Sequence, residues 1–185
     1  MVVINHFFSS DYHLGQFNIL KYDGRPFKDI HHMDETIIQN HNSVVKKEDH
    51  CYLLGDFSFN KDKTEEYLSR LNGKLFFIRG NHDYRETIAL YKKYGTYLGN
   101  LEEINIGGQQ ITLCHYSMRC WNRSHRGSWH LYGHSHHSLP DDPNSLSFDV
   151  GINGAEYNYT PLSIKQVRNK MNTKTFKPID HHEAK

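Results

Sequence analysis

The sequence predicts an α/β fold in which a mixed β-sheet packs against helices. Short apolar runs alternate with helical patterns in the first half of the chain, and hairpin strands follow in the second half, an order typical of α/β sandwiches. The 185 residues are 37% hydrophobic and 23% charged, which is the composition of one soluble globular domain. We place that domain at residues 1–171 and expect residues 172–185 to be a solvated, frayed tail.

Each predicted element rests on local patterns. Strands are expected at residues 4–9, 50–54, 74–78, 101–106, 109–114, 129–132 and 147–150, with Gly107-Gly108 as a two-residue hairpin turn. Helices are expected from the N-cap Asp29 to about Asn42, from the N-cap Asp62 through Leu71, from Arg85 to Tyr94 before Gly95, and from the capping box Ser163/Gln166 to Met171. Residues 15–28 and the Arg-rich residues 116–128 are expected to be loops.

Composition argues against several classes of function. The net charge of +1 gives no reason to expect long nucleic acid as a partner, and no apolar run is as long as a membrane span. The first residues lack the charged and apolar regions of a signal peptide. Three cysteines cannot all pair with one another and form no C-x-x-C motif, so a reduced, cytoplasmic setting is the simplest expectation.

Polar residues recur just where predicted strands end. The five blocks are Asp11-Tyr12-His13, Gly55-Asp56, Gly80-Asn81-His82-Asp83, His115 and Gly133-His134-Ser135-His136. Ligands bind beyond the carboxyl ends of sheet strands, so we expect the five blocks to share one site. Taken singly, an aspartate or a Gly-Asn pair is often only a turn residue, and a lone histidine beside a strand is more often a core residue.

The donor types in these blocks point to a metal ion. Within Asp11-Tyr12-His13, we expect extended chain to direct the first and third side chains to the same side. Oxygen and nitrogen donors without thiolate favour Mn, Fe, Zn or a similar ion. His137 follows the last block directly, and we expect its ring to point away from the site.

In this order the five blocks resemble the signature of the calcineurin-like metallophosphoesterases, and the resemblance extends from Asp11 to His136. It implies an αββα sandwich of mixed β-sheets flanked by helices, in the form of a small bacterial or phage-type member without a cap domain. It also implies two divalent metal ions, with manganese expected first and Fe, Zn or Ni as alternatives. The implied ligands are Asp11, His13, Asp56 and His136 for one ion and Asp56, Asn81, His115 and His134 for the other, with Asp56 as the bridge.

The resemblance also implies the reaction. A hydroxide shared by two ions attacks phosphorus in line, and the cations stabilise the charge that develops on the phosphoryl oxygens. His82 is then the general acid, or a cationic stabiliser of the transition state, and Asp83 is expected to orient its ring. Candidates for holding substrate phosphate are Arg85, Arg119, Arg123 and Arg126.

Several functions are open at this point. A phosphodiesterase acting on a small nucleotide-type substrate suits the short chain, and a nuclease or a phosphomonoesterase would use the same residues. A protein phosphatase is disfavoured, because such relatives carry an Arg shortly after the G-D block and residues 56–60 contain none. A non-catalytic scaffold of the same fold is also disfavoured, since every expected position is filled. The sequence does not determine the oligomeric state or the natural substrate.

Overall fold

The computed structural model describes residues 4–180, which contain nine strands and five helices. The strands are β1 His6–Ser9, β2 His50–Leu53, β3 Lys74–Ile78, β4 Thr96–Gly99, β5 Leu101–Ile106, β6 Gln109–Cys114, β7 Trp129–Tyr132, β8 Ser147–Asp149 and β9 Leu162–Ser163. The helices are α1 Ile19–Tyr22, α2 Ile30–Val44, α3 Thr64–Arg70, α4 Arg85–Tyr94 and α5 Ile164–Asn172, and a 3-10 turn covers Ser124–Arg126.

The strands form two mixed sheets. The first has the order β4-β3-β2-β1-β9, in which β1 to β4 run parallel and β9 is antiparallel to β1. The second has the order β5-β6-β7-β8, in which the β5–β6 hairpin is antiparallel and the other two pairs are parallel. The predicted fold class, mixed sheets flanked by helices, is therefore confirmed.

Alternation along β1 produces two hydrophobic cores. Successive strand residues face opposite sides of a sheet, so Phe7 and Phe8 enter different clusters. Phe7 belongs to the core that also contains the buried faces of α2, α3 and α4. Phe8 belongs to the core between the sheets, together with Leu131 and Phe148 of the second sheet. The first sheet is thus buried on both faces, which fixes the positions of its strand ends.

Several local predictions are confirmed. Asp29 is the N-cap of α2, where its side chain accepts a hydrogen bond from the His32 N–H (2.7 Å). Ser163 and Gln166 form the predicted capping box at the start of α5. Gly107 and Gly108 both have positive φ, as a tight two-residue turn of the β5–β6 hairpin requires.

Other local predictions are wrong. The N-cap of α3 is Lys63 rather than Asp62, and the Asn60 side chain accepts a hydrogen bond from the Lys63 N–H (3.2 Å). The predicted loop at residues 15–28 contains the single turn α1. The pattern also misses β4 and β9, because β4 is partly exposed and β9 is only two residues long.

The chain after α5 is exposed but bound to the rest of the domain. The N–H groups of Thr175 and Lys177 donate to the carbonyl oxygens of Pro143 and Asn144 (both 2.7 Å), and the Ser124 hydroxyl donates to Asp180 (2.7 Å). The expectation of a frayed tail is therefore wrong up to residue 180. Residues 181–185 lie outside the described residues.

Candidate metal centre

Five strand ends meet at one edge of the sandwich. Asp11, Asp56 and Asn81 follow β1, β2 and β3 of the first sheet, and His115 and His134 follow β6 and β7 of the second. Two hydrogen bonds join the sheets here. The ring Nδ1 of His115 lies 2.7 Å from the Leu54 carbonyl oxygen, and the His134 N–H donates to Oδ2 of Asp11 (2.9 Å). The structure thus brings all five sequence blocks to one place.

Most of the candidate ligands lie on left-handed backbone. Positive φ angles occur at Asp11 (58°), His13 (54°), Asp56 (54°), His134 (66°) and His136 (48°). Such a conformation costs roughly 1–3 kcal/mol per residue, and Asp and His adopt it more readily than most other side chains. The site therefore stores backbone strain that the surrounding fold must hold in place.

The expectation of an extended Asp11-Tyr12-His13 segment is therefore wrong. The chain has positive φ at both ends of the motif, and the two side chains converge because of those turns rather than by strand alternation. The N–H groups of Asp11 and His13 donate to the carbonyl oxygens of Gly55 and Asp56 (3.1 and 3.0 Å). These hydrogen bonds attach the first block to the second.

Two glycines allow the blocks to approach one another. A Cβ atom on Gly80 would lie 2.1 Å from Oδ1 of Asp56. A Cβ atom on Gly133 would lie 2.0 Å from Oγ of Ser10 and 2.4 Å from Oδ2 of Asp11. These distances are far inside van der Waals contact. The glycines before Asn81 and His134 are therefore required by close packing against the carboxylates.

A first group of donor atoms surrounds the His13 ring. Nε2 of His13 lies 3.1 Å from Nε2 of His136 and 3.6 Å from Oδ1 of Asp11. Nε2 of His136 is also 3.6 Å from that oxygen. Ligand atoms that share one divalent ion lie about 2 Å from it, so they lie within about 4 Å of one another, as these three donor atoms do. These three side chains could hold one ion.

Asp56 links this group to a second one. Its Oδ2 lies 4.0 Å from Nε2 of His13 and 3.5 Å from Nε2 of His115. Oδ1 of Asn81 lies 3.0 Å from Nε2 of His115 and 2.8 Å from Nδ1 of His134. Two groups of acidic and histidine side chains lie close enough to hold an ion, Asp11 with His13 and His136, and Asp11 with Asp56 and His115. The bridging role expected for Asp56 stays a prediction.

The donor set suits a divalent cation for a further reason. Oδ1 of Asp11 is buried and has no hydrogen-bond partner among residues 4–180. A buried carboxylate oxygen without a partner is costly, and a bound cation would satisfy it. The donors are oxygen and nitrogen atoms, the types that Mn, Fe and Zn accept from proteins.

The charges of the site attract both protons and cations. Burial alone raises the pKa values of Asp11 and Asp56, but neighbouring imidazoles, above all His115 for Asp56, hold both below the usual range. Burial opposes protonation of His115, yet the carboxylates of Asp56 and Asp11 raise its pKa to about 9. Because histidine must be neutral to bind metal, protons and metal ions compete for this site.

Two residues that the sequence analysis missed brace the first group. Oδ2 of Asp23, which follows α1, lies 2.6 Å from Nδ1 of His136. The buried Arg25 donates to Asp23 (3.1 Å) and to the carbonyl oxygens of Tyr12 (2.8 Å) and Asp11 (2.9 Å). A carboxylate bound to the far nitrogen of a ligand histidine fixes its orientation and raises its basicity. In the sequence, Asp23 and Arg25 are ordinary members of a Gly-containing loop.

Asp149, at the end of β8, shapes the loop that carries His134 and His136. Its carboxylate accepts hydrogen bonds from the Ser135 hydroxyl (2.6 Å) and from the N–H groups of His137 (3.0 Å) and Gly151 (2.7 Å). Nε2 of His137 lies 2.8 Å from the Gly151 carbonyl oxygen. The expectation that the His137 ring points away from the site stays a prediction, and Asp149 has no motif that would have singled it out.

The His82 ring lies beside the first group of donors. Its centroid is 4.5 Å from that of Phe59 and 6.2 Å from that of His13. The backbone N–H of His82 donates to Oδ1 of Asp56 (2.9 Å). His82 is thus anchored to a candidate ligand through its backbone, while its ring packs on Phe59.

The expectation that Asp83 orients His82 is wrong. The Asp83 carboxylate is fully buried and accepts hydrogen bonds from the N–H groups of Asp56 (3.1 Å) and Gly80 (2.8 Å) and from the Tyr91 hydroxyl (2.6 Å). All three donors belong to backbone or core groups rather than to the His82 ring. Asp83 therefore holds the second and third blocks together.

The candidate arginines lie at the surface. Arg85 begins α4, Arg123 directly precedes the 3-10 turn, and Arg126 is its last residue. Arg119 lines a cavity beside the second sheet. In the described part of the chain, no hydrogen bond or ion pair joins these four to the seven donor side chains. Their contact with substrate phosphate therefore stays a prediction.

A family model supports this arrangement. The model described as the calcineurin-like phosphoesterase superfamily domain matches residues 9–151, which include every block from Asp11 to His136. The chain therefore belongs to the calcineurin-like phosphoesterases and is a metal-dependent phosphoesterase.

One relative and two solved structures resemble the chain. The chain is 34% identical over 163 residues, 84% of each chain, to the protein of Methanocaldococcus jannaschii called Uncharacterized protein MJ1445. It resembles the crystal structure of AQ665 from Aquifex aeolicus with a TM-score of 0.70 and 21% identity, over 91% of this chain and 100% of that one. It also resembles an archaeal phosphodiesterase with a TM-score of 0.50 and 16% identity, over 87% and 99% of the two chains. The two structural likenesses show the shared fold.

Proposed function

We propose that the protein is a phosphodiesterase that acts on a small nucleotide-type substrate with two divalent ions, manganese first among the candidates. The observation that supports two ions is the position of Asp56, whose Oδ2 lies 4.0 Å from His13 Nε2 and 3.5 Å from His115 Nε2. A carboxylate between two groups of donors can face two cations at once. Two such ions, when bound, would lower the pKa of a water molecule and hold phosphoryl oxygens.

In this proposal the protein's own groups set the geometry around the phosphate. Asp23 and Arg25 hold His136 and the first block in place, and Asp83 holds the second and third. His82 is the residue that donates a proton to the leaving oxygen or stabilises its charge, because its ring lies beside the donors. Among the described residues the ring makes packing contacts and no hydrogen bond. The backbone N–H of His82 on Asp56 fixes its distance from the site.

The class of substrate is inferred from charge and from the fold. A net charge of +1 favours a small phosphate ester over long nucleic acid. One structural neighbour is described as an archaeal phosphodiesterase, which makes diesters the first substrates to test.

We also propose a reduced, cytoplasmic setting, which the free thiols of Cys51, Cys114 and Cys120 support. Among residues 4–180, no helix combines the length and apolar character needed to cross a bilayer.

Hydrolysis of bis(p-nitrophenyl) phosphate by metal-loaded protein tests the proposal. We expect turnover with Mn, and a lower rate on p-nitrophenyl phosphate, the corresponding monoester. Faster cleavage of the monoester would make the protein a phosphomonoesterase, and cleavage of single-stranded DNA at catalytic protein concentrations would make it a nuclease. Absence of turnover on all three substrates with Mn, Ni, Zn and Fe would leave only the non-catalytic scaffold.

Two variants separate the proposed roles. His82→Ala should keep its metal and lose kcat, because its ring is placed beside the donors without being one of them. Asp56→Asn should lose metal as well, because an amide has one acceptor oxygen and no charge. Equal loss of metal in both variants would contradict the role given to His82.

A further inference from the structure

A cavity of about 590 Å³ lies on the outer face of the second sheet. Leu131 of β7 faces the core between the sheets, so its strand neighbours His130 and Tyr132 face outward. The loop of residues 116–128 covers His130: the Trp121 ring lies 5.3 Å from the His130 ring, and the Met118 N–H donates to its Nε2 (3.2 Å). Irregular chain, rather than a helix, thus encloses space on this face.

Three segments form the walls of the cavity. Ser117, Met118 and Arg119 come from the loop after β6, and residues 139–147 come from the connection between β7 and β8. Residues 176–180 form the third wall. Their position is fixed by the hydrogen bond of the Lys177 N–H to the Asn144 carbonyl oxygen (2.7 Å). The cavity is therefore a built feature with backbone hydrogen bonds holding its walls.

One end of the cavity adjoins the metal centre. The Tyr116 ring lies 5.2 Å from the ring of His115 and 4.7 Å from that of His134, and the next residue, Ser117, lines the cavity. Tyr132 also lines it and is followed by Gly133 and His134. The cavity wall thus continues along the chain into the metal centre, while the seven donor side chains themselves lie outside the lining.

The cavity lies on the opposite side of the centre from His82. His82 follows β3 in the first sheet, whereas the cavity walls follow β6 and β7 in the second. If His82 serves the leaving oxygen, the leaving group occupies the side of the first sheet. The group that stays on the phosphate then occupies the cavity.

The walls combine aromatic surface with charged groups of both signs. Met118, Trp121 and Tyr132 offer apolar and aromatic surface, and the serines of the connection after β7 offer hydroxyl groups. The two carboxylates of the lining are already bound, Asp142 by the Asn144 N–H (2.8 Å) and Asp180 by the Ser124 hydroxyl (2.7 Å).

The two cationic side chains of the lining, unlike the carboxylates, have no hydrogen-bond partner among the described residues. Over the described range, the side chains of Arg119 and Lys177 make no hydrogen bond or ion pair with protein groups, and both line the cavity. Neutral N–H and hydroxyl donors do not cancel the charges of Asp142 and Asp180, so the lining carries two positive and two negative groups. The charged hydrogen-bond donors that a ligand can still use belong to Arg119 and Lys177. Aromatic surface, hydroxyl groups and these donors together match a base and a sugar.

We propose that this cavity binds the nucleoside of a nucleotide ester, on the side of the phosphate that is retained in the product. The inference rests on the proposed phosphodiesterase function and adds where its specificity lies. The volume is within the range of small-molecule sites and leaves room for one nucleoside. Arg119 and Lys177 offer hydrogen-bond donors to the oxygen atoms of the base and the sugar.

Two esters with the same leaving group test the proposal. Thymidine 5′-(p-nitrophenyl phosphate) and methyl p-nitrophenyl phosphate both release p-nitrophenolate and differ only in the retained group. With Mn-loaded wild-type protein, we expect kcat/KM to be at least tenfold higher for the thymidine ester. Ser145→Trp should fill the cavity. This variant should lose at least tenfold in kcat/KM on the thymidine ester and change less than twofold on the methyl ester.

The matched control is Ser69→Trp, which adds the same side chain to the exposed surface of α3. It should leave both substrates unchanged. Equal wild-type kcat/KM values for the two esters, or equal slowing of both by Ser145→Trp, would overturn the proposal. If neither ester is cleaved, the proposed function fails, and calorimetric binding of thymidine 5′-monophosphate still tests the cavity. Wild type should then bind it and Ser145→Trp should not, whereas equal binding by both would refute the cavity assignment.

Discussion

Replacing Asp83 by alanine tests whether this carboxylate holds the backbone of the site or serves the His82 ring. The wild-type carboxylate accepts hydrogen bonds from the N–H groups of Asp56 and Gly80 and from the Tyr91 hydroxyl. Alanine leaves three buried donors unpaired, and each costs about 1–3 kcal/mol, so we expect Asp83→Ala to lose roughly 3–9 kcal/mol of unfolding free energy. The affinity for Mn should fall too, because two metal-bearing blocks lose their common anchor.

Tyr91→Phe is the graded control for this prediction. It removes one donor to the same carboxylate and leaves the N–H groups of Asp56 and Gly80 bound, so we expect a loss of about 1 kcal/mol with Mn affinity unchanged. Urea unfolding of the metal-free protein gives the free energies, and calorimetry gives the Mn affinity. If Asp83→Ala were as stable as wild type and altered only kcat, the carboxylate would serve His82 and our reading of the structure would be refuted.

Three further predictions concern other parts of the site and the core. Gly133→Ala should lower metal content, because its Cβ would lie 2.4 Å from Oδ2 of Asp11, and wild-type metal content in this variant would contradict the close packing. Asp23→Asn should weaken Mn binding by about 10–100-fold in calorimetry, since the carboxylate that orients His136 loses its charge; an unchanged affinity would mean that His136 needs no such support. Burial lowers the pKa of His41 from 6.5 to about 4, so the folded state binds fewer protons than the unfolded state between these values. Unfolding free energy should accordingly fall by about 3 kcal/mol as the pH drops from 6.5 to 4, and His41→Asn should flatten that slope in urea titrations of metal-free protein, whereas equal slopes would exclude His41 as the cause.

Much of the site could be predicted from the sequence because the turns that position its residues have local sequence signals. A glycine next to Asp56, Asn81 or His134 signals a turn just beyond an apolar run, and those turns lie at the ends of β2, β3 and β7. Brought to one edge by parallel strands, such residues must lie close together. The family resemblance then indicated which donors would share an ion, and the distances between them in the structure permit that assignment.

What the sequence could not supply depends on long-range contacts. Asp23 becomes important only because α1 places it 2.6 Å from His136, a residue 113 positions away along the chain. The direction of Asp83 depends on the Tyr91 hydroxyl from α4 and on the backbone of β2's end. Residues 173–180 look like a polar tail in the sequence, and their position depends on contacts with distant residues, among them the carbonyl oxygens of Pro143 and Asn144 and the Ser124 hydroxyl. None of these contacts leaves a periodic or motif-level signal.

Metal content per chain tests the central claim most directly. The purified protein should be stripped, reloaded with Mn, desalted and analysed by inductively coupled plasma mass spectrometry, beside Asp56→Asn and the exposed control Asp62→Asn. We predict close to two Mn ions per chain in wild type and Asp62→Asn, and at most one in Asp56→Asn. Less than one ion in wild type, with no further loss in Asp56→Asn, would contradict a metal centre formed by these strand ends.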